Sequence, residues 1–183
     1  MSFNEWTLGS SREFNGLANF TKLASDTQFY WAVARTLYYT ALAVILPLIL
    51  GTLAALVFHE KFACRGFIRG LFVMPMMATP VAIALVWRMM FHPQVGVLNY
   101  LLSLIGLGPS EWVFNRDIVI PTLVMVETWQ WMPLVMLVVL GGLAAVPTEP
   151  YESALIDGAT RWQMFRYITF PMVLPFVMVA VII

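Results

Sequence analysis

Charge is what this sequence has least of. Asp, Glu, Lys and Arg make up 11% of its 183 residues, against roughly 25% in an ordinary soluble domain. Ten basic side chains balance ten acidic ones, which argues against a nucleic-acid binder working through a basic face. The single cysteine, Cys64, rules out an intrachain disulfide framework and any multi-cysteine metal site. Two histidines, His59 and His92, lie far apart, and HExxH is missing, so no zinc or iron site assembles from them. GxxxxGK[ST] is also missing, so this chain does not bind ATP in the usual way. What fills the space is apolar: 61% hydrophobic residues, including 13 Phe, 7 Trp and 12 Met, with a mean hydropathy of +0.82. Too little polar surface remains to cover a water-facing globule. This is the composition of a membrane protein, or of a piece of one.

The scarce charges mark out apolar runs. Thr36 to Phe58 is uncharged and long enough to cross a hydrocarbon core of about 30 Å as a helix. Gly70 to Trp87 is a second run, extended by Phe67 and Ile68 on its flank. Ile118 to Val146 is a third, interrupted by Glu127 alone. A fourth begins near Tyr167 and is still apolar at Ile183; counted from Pro171 it is too short to span. Prolines sit within these runs (Pro47, Pro75, Pro80, Pro121, Pro133, Pro175), tolerated in a membrane where neighbours re-satisfy the freed carbonyls. The reading is therefore all-α: a polytopic helix bundle with three complete spans and the start of another.

Lys61, Arg65 and Arg69 crowd the short loop 59–70, which by the positive-inside bias is cytoplasmic. Loop 88–117 carries only Arg88 and Arg116, with turn residues and Trp112, and is then extracytoplasmic. Loop 147–170, with Arg161 and Arg166, is cytoplasmic again. Residues 1–35 become an extracytoplasmic polar segment ahead of a transmembrane domain at 36–183. Yet no basic stretch followed by an apolar core opens the chain, as a signal peptide would. Both ends are thus expected to be truncated. Trp6, Trp87, Trp112 and Tyr100 are read as interfacial anchors.

Loop 147–170 carries the most information. Thr148 stands where it can cap a helix, with Glu149 and Glu152 near the positive end of its dipole. Tyr151, Ala154, Leu155 and Gly158 follow helical spacing, and Gly158 suits a left-handed close. Thr160 and Gln163 then fit a capping box that starts a second helix, and Pro171 suits the first turn of a membrane helix. Physically this is a helix–turn–helix at the membrane surface, either an ordinary amphipathic connector or a small-residue face shaped to be gripped.

The same stretch resembles the cytoplasmic EAA loop of bacterial ABC-importer permeases. The residues that carry the likeness are Glu152-Ser153-Ala154, Asp157-Gly158-Ala159, Phe165 and Ile168-Thr169-Phe170-Pro171. Ser153 departs from the middle alanine of that pattern and Phe170 from its leucine; one stays small, the other apolar. Further ordered matches run along nearly the whole chain, among them Phe14-Asn15-Gly16-Leu17-Ala18-Asn19-Phe20, Arg35-Thr36-Leu37, Asn99-Tyr100-Leu101-Leu102, Trp129-Gln130-Trp131-Met132-Pro133 and Gly141-Gly142-Leu143. They point to the carbohydrate-importer subfamily of maltose, glycerol-phosphate and polyol permeases. The resemblance implies a multi-pass protein of the bacterial cytoplasmic membrane without chemistry or cofactor of its own. Its implied partners are a second permease subunit, a cytoplasmic ATPase pair and an extracytoplasmic solute-binding protein. It also implies that Glu152, Ser153, Ala154, Asp157, Gly158, Ala159, Phe165 and Pro171 couple ATPase closure to alternating access.

Glu127 is the acidic residue deep within a span, and intramembrane carboxylates are costly. Gln130, Trp131 and Leu134 follow it at helical spacing, so these four are read either as a solute path or, for Glu127, as an interhelical bond that orients packing. An intramembrane hydrolase would need a paired catalytic group that Glu127 lacks. A non-transporting scaffold subunit or a relic fragment is the alternative from a different class, and a permease for a non-sugar solute is the nearest neighbour of the leading reading.

Overall fold

The computed structural model describes residues 4–5, 13–14 and 16–182. The helices among them are α1 (Ala18–Ala24), α2 (Thr27–His59), α3 (Arg65–Met77), α4 (Pro80–Met90), α5 (Val97–Leu104), α6 (Val119–Ala145), α7 (Glu149–Ile156), α8 (Arg161–Met164) and α9 (Phe170–Ile182). A 3-10 turn lies at Trp112–Phe114 and a π-helical turn at Phe165–Thr169. The expected all-α bundle is what the chain adopts. Residues 1–41 and 42–183 form two compact units. In the first, a two-residue antiparallel ladder pairs β1 (Asn4–Glu5) with β2 (Glu13–Phe14). In that unit the Asp26 carboxylate accepts the Gln28 N–H at 2.8 Å, a side-chain cap on the start of α2, and Tyr30 Oη donates to the Ala24 carbonyl at 2.9 Å. Trp6 lies outside the described residues.

Among the described residues, three helical stretches are long and apolar enough to cross a membrane: Thr27–His59, Val119–Ala145 and Arg161–Ile182. The first begins nine residues before the expected Thr36, because Asp26 supplies the cap and nothing in 27–35 breaks a helix. The second expected run is not one straight span. It divides into α3 and α4, bent by 96°. The cause is local: Ala78 and Thr79 are both extended, with ψ of 146° and 141°. A residue ahead of proline is pushed out of the helical region, and Pro80 then opens the next helix at a position where its missing N–H costs nothing.

The fourth run also differs. The helix capped by Thr160 does not end before Pro171; it continues through the π turn into α9, giving 22 helical residues from Arg161 to Ile182. Pro171 offers no N–H and its ring crowds the carbonyl four residues back. The helix answers by widening just ahead of it, with the Phe170 N–H bonded to the Phe165 carbonyl in the i→i−5 pattern of a π turn.

In the second unit α6 is the central element. Its buried residues, from Thr122 through Val135 and Val139 to Leu143, cover about two thirds of its circumference at roughly 100° per residue, and the sector left open carries Glu127, Trp131, Leu134 and Val138. Pro47, Gly51, Ala55 and Phe58 form the buried stripe of α2. A Cβ on Gly51 would stand 2.6 Å from Val135 Cβ and 2.8 Å from the Met132 carbonyl, so glycine lets the two backbones meet. Gly142 likewise leaves room for the Phe176 side chain of α9. Ala55, Phe58, Val135, Met136, Val139, Leu140, Leu143 and Val173 make the core where α2, α6 and α9 converge.

Polar groups tie the ends. After α2 the Arg65 guanidinium donates to the carbonyls of Phe58, His59 and Glu60 at 3.4, 3.2 and 3.3 Å, satisfying acceptors left open at a helix C-terminus. At the 91–118 end, Asn99 is buried and donates to the Pro93 and Ser110 carbonyls, both at 2.9 Å. Its oxygen accepts the Ser110 N–H at 3.1 Å and the Trp112 indole N–H at 2.8 Å. From Trp112 an aromatic column runs through Phe91 and Trp87 to Trp129 on α6, with ring centroids 5.4, 5.2 and 5.4 Å apart.

Candidate functional site

Two places gather the residues singled out by the sequence. The first is the turn between α7 and α8. The close of α7 is a Schellman motif: the Gly158 N–H bonds the Leu155 carbonyl at 3.1 Å and the Ala159 N–H bonds the Ala154 carbonyl at 2.9 Å, with Gly158 at φ +75°. Asp157-Gly158-Ala159 is therefore the stop signal of α7, spelled in the order last helical turn, left-handed residue, exit. Ser153, in the alanine position of the EAA pattern, directs its hydroxyl to the Glu149 carbonyl at 3.0 Å and offers little to a partner. The expected cap by Thr148 does not form. Thr148 holds the N-cap position but its ψ is −24° and its side chain makes no capping bond, because an N-cap side chain reaches the N2 or N3 amide from an extended backbone. The Thr160–Gln163 capping box does form, with Thr160 N–H to Gln163 Oε1 at 2.8 Å and Gln163 N–H to Thr160 Oγ1 at 3.3 Å.

Glu152, Ser153, Asp157, Gly158 and Pro171 are exposed, while Ala154, Ala159 and Phe165 are half-buried. Leu155, Ile156, Trp162 and Tyr167 add exposed apolar surface, Ile156 at 87% of its full area. The expected stripe thus divides: Tyr151 and Ala154 are half-buried, and Leu155 and Gly158 are exposed. Sequence spacing missed one pairing. Tyr151 Oη and Thr169 Oγ1 lie 2.9 Å apart across 18 residues, beyond the reach of any local periodicity.

The second place is an open cavity of about 280 Å³ between helices, walled by α2 (Ala43, Val44, Pro47, Leu48), α6 (Glu127, Trp131, Leu134, Val135, Val138) and α9 (Ala180, Val181). Three of the four residues read as a solute path, Glu127, Trp131 and Leu134, share this wall. Gln130 does not: it is buried, 6% exposed, and off the lining. At roughly 100° per residue it falls about 60° from Glu127, on the side away from Trp131. Trp129 likewise faces elsewhere, edge-on to Trp87. Glu127 is the carboxylate on an otherwise apolar wall, and a carboxylate in that setting can accept hydroxyl groups beside an aromatic face.

Comparison with known proteins agrees with this architecture. The family described as binding-protein-dependent transport system inner membrane component matches residues 21–183. The chain belongs to this family. It is an ABC-transporter permease chain, an integral component of the inner membrane. It is 34% identical over 182 residues to a probable ABC transporter permease protein, y4oQ, of Sinorhizobium fredii, covering 98% of this chain and 59% of that one. It is 32% identical over 171 residues to the trehalose/maltose transport system permease protein MalF of Thermococcus litoralis, covering 93% and 58%. Among solved structures, a bacterial alginate ABC transporter in complex with its alginate pentasaccharide-bound periplasmic protein matches with a TM-score of 0.81 at 28% identity, covering 88% of this chain and 57% of that one. The chain spans just under three fifths of the length of the two curated relatives.

Proposed function

We propose that this permease chain forms part of an ATP-driven importer for a sugar or polyol, and that α7 with its Schellman turn is the contact through which a separate cytoplasmic ATPase pair drives alternating access. In this reading loop 147–170 is cytoplasmic, residues 1–35 are extracytoplasmic, and the transmembrane domain occupies 36–183. The single observation that carries it is the build of the α7–α8 turn. Gly158 at φ +75° and the capping box at Thr160 hold two short helices in fixed relation. Their outward face is apolar, with Leu155, Ile156 and Trp162 exposed beside Glu152. Exposed apolar groups rimmed by polar ones mark an interaction surface, and Glu152 is placed for a charge-assisted bond to a basic residue.

Membership in the family and the trehalose/maltose and alginate descriptions of its relatives support a carbohydrate. The Glu127 cavity, with Trp131 on its wall, supports a hydroxyl-rich solute that stacks on an aromatic face. Remaining partners in this reading are a second permease subunit, an extracytoplasmic solute-binding protein and the lipid bilayer. Hydrolysis belongs to the ATPase; this chain transmits it.

The test is made in the full-length permease with its partner subunits. Glu152→Lys or Gly158→Pro is expected to abolish ATPase co-purification and solute uptake while membrane insertion stays intact. Normal uptake with normal ATPase retention in both variants refutes the coupling assignment.

A further inference from the structure

We infer that the Tyr151–Thr169 hydrogen bond is the tie through which displacement of α7 reaches the cavity-lining helix α9. The inference rests on the coupling reading above and adds to it a route and two positioning residues, neither of them assigned to the ATPase contact. Three features carry it.

The first is what surrounds the bond. Tyr151, Thr148, Thr169 and Phe165 line a cavity of about 660 Å³ together with Leu56 and His59 of α2. At Thr148 and Tyr151 the start of α7 therefore borders open space, instead of being set solidly into the bundle. A hydrogen bond that reaches across such a space transmits displacement that loose packing does not.

The second is what the bond is attached to. Thr169 closes the π turn, and its hydroxyl also faces the Met164 carbonyl at 3.5 Å. With the Thr169 proton on that carbonyl, Tyr151 is the donor to Thr169 Oγ1 at 2.9 Å. One hydroxyl thereby joins α7 to the widest part of the helix ahead of Pro171. Single π turns inside α-helices are frequent at functional sites.

The third is where α9 leads. Ala180 and Val181 stand on the wall of the Glu127 cavity, about 16 Å along the helix from Thr169. Between them Phe176 presses on Gly142 of α6, the helix that carries Glu127. A tilt started at Thr169 thus has a continuous packed route to two of the three cavity-lining helices, α9 and α6. A route of this kind is established by coupling measurements rather than by adjacency.

The test uses the full-length permease assembled with its partner subunits, in a Cys64→Ser background with Val181→Cys as reporter. The rate of alkylation by a small water-soluble maleimide is measured with and without Mg-ATP and vanadate. The unmodified pair is expected to show a nucleotide-dependent rate. Tyr151→Phe and Thr169→Val are each expected to shrink that response about two- to tenfold, the effect of one net hydrogen bond, while the ATPase still co-purifies. The double variant is expected to be no worse than either single one, and Thr169→Ser to retain the response. A full response in either single variant, additive losses, failure of serine to rescue, or a reporter insensitive to nucleotide in the unmodified assembly overturns the inference. Glu152→Lys separates the two levels. If it loses the ATPase while Tyr151→Phe responds normally, the tie alone is wrong; if it keeps both ATPase and response, the coupling reading fails and the tie with it.

Discussion

At the scale of single residues, Gly158 and Asn99 each do something no other side chain at their position would. The Schellman close of α7 needs a left-handed residue, and Gly158 has it at φ +75° with nothing within 4 Å of where a Cβ would stand. The cost of Gly158→Ala is therefore conformational and not steric. It is expected to destabilise the turn by about 1–2 kcal/mol, with Gly158→Asn less affected because asparagine tolerates the left-handed region. Protease sensitivity of the 147–170 loop in detergent checks the order. Asn99 uses both its amide hydrogens and its oxygen on Pro93, Ser110 and Trp112. Asn99→Leu would strand several part-buried groups, each costing up to about 1–3 kcal/mol. The expected result is a loosened 91–118 segment, read as a red shift in tryptophan emission as Trp112 and Trp87 gain solvent. Gly158 was legible in the sequence because a helix stop is a local event. Asn99 was visible only as part of a family string, because its partners lie six to thirteen residues away around a fold that spacing does not reveal.

Between elements, close approach decides the geometry. α2 and α6 cross at Gly51 and Val135, and α6 and α9 at Gly142 and Phe176. In a bilayer, where apolar burial between helices gains little over contact with lipid, such van der Waals approach carries much of the association. Gly51→Ala places a methyl 2.6 Å from Val135 Cβ and is expected to cost about 1–3 kcal/mol as overpacking. Adding Val135→Ala is expected to recover only part of that loss. It removes Cγ1, 2.8 Å from the added methyl, but keeps Val135 Cβ and the Met132 carbonyl. Thermal unfolding of the detergent-solubilised assembly measures both. The broken pair α3–α4 belongs to this scale as well. Read from the sequence, Gly70–Trp87 is one run that passes over Thr79-Pro80, although proline restricts the residue before it. The 96° angle did not follow from it, because a kinked span and a sharp fold-back begin with the same two residues. The π turn is the converse case. Pro171 was read as the start of a membrane helix, whereas widening the helix ahead of the ring lets the chain pass through it unbroken.

For the molecule as a whole, the Glu127 cavity is where three distant stretches of chain meet, from 43–48, 127–138 and 180–181. If it lies on the solute path, filling it should stop transport without disturbing assembly. Leu134→Trp is expected to abolish solute uptake, scored as growth across a panel of single carbon sources in cells that depend on the transporter, while ATPase co-purification persists. Gln130→Ala, off the wall, is expected to leave growth closer to normal. Equal loss from both substitutions would detach the cavity from transport.

The chain's own order of residues determined what is local. Scarce charge and runs of apolar residues demand a membrane, since a backbone without water must satisfy itself in helices. Asp26, Pro80, Gly158 and the Thr160–Gln163 pair act within a turn of their own position, and the helix boundaries near them follow. Tertiary structure alone decided which helical faces meet. It put Glu127 and Trp131 on a cavity and Gln130 in the packing beside it, and it set Tyr151 against Thr169. The reason is physical. On α6, apolar almost all round, periodicity gives no preferred face, so its orientation is settled by small residues such as Gly51 and Gly142 that admit a neighbour's backbone or ring, and those contacts exist only once the helices have come together.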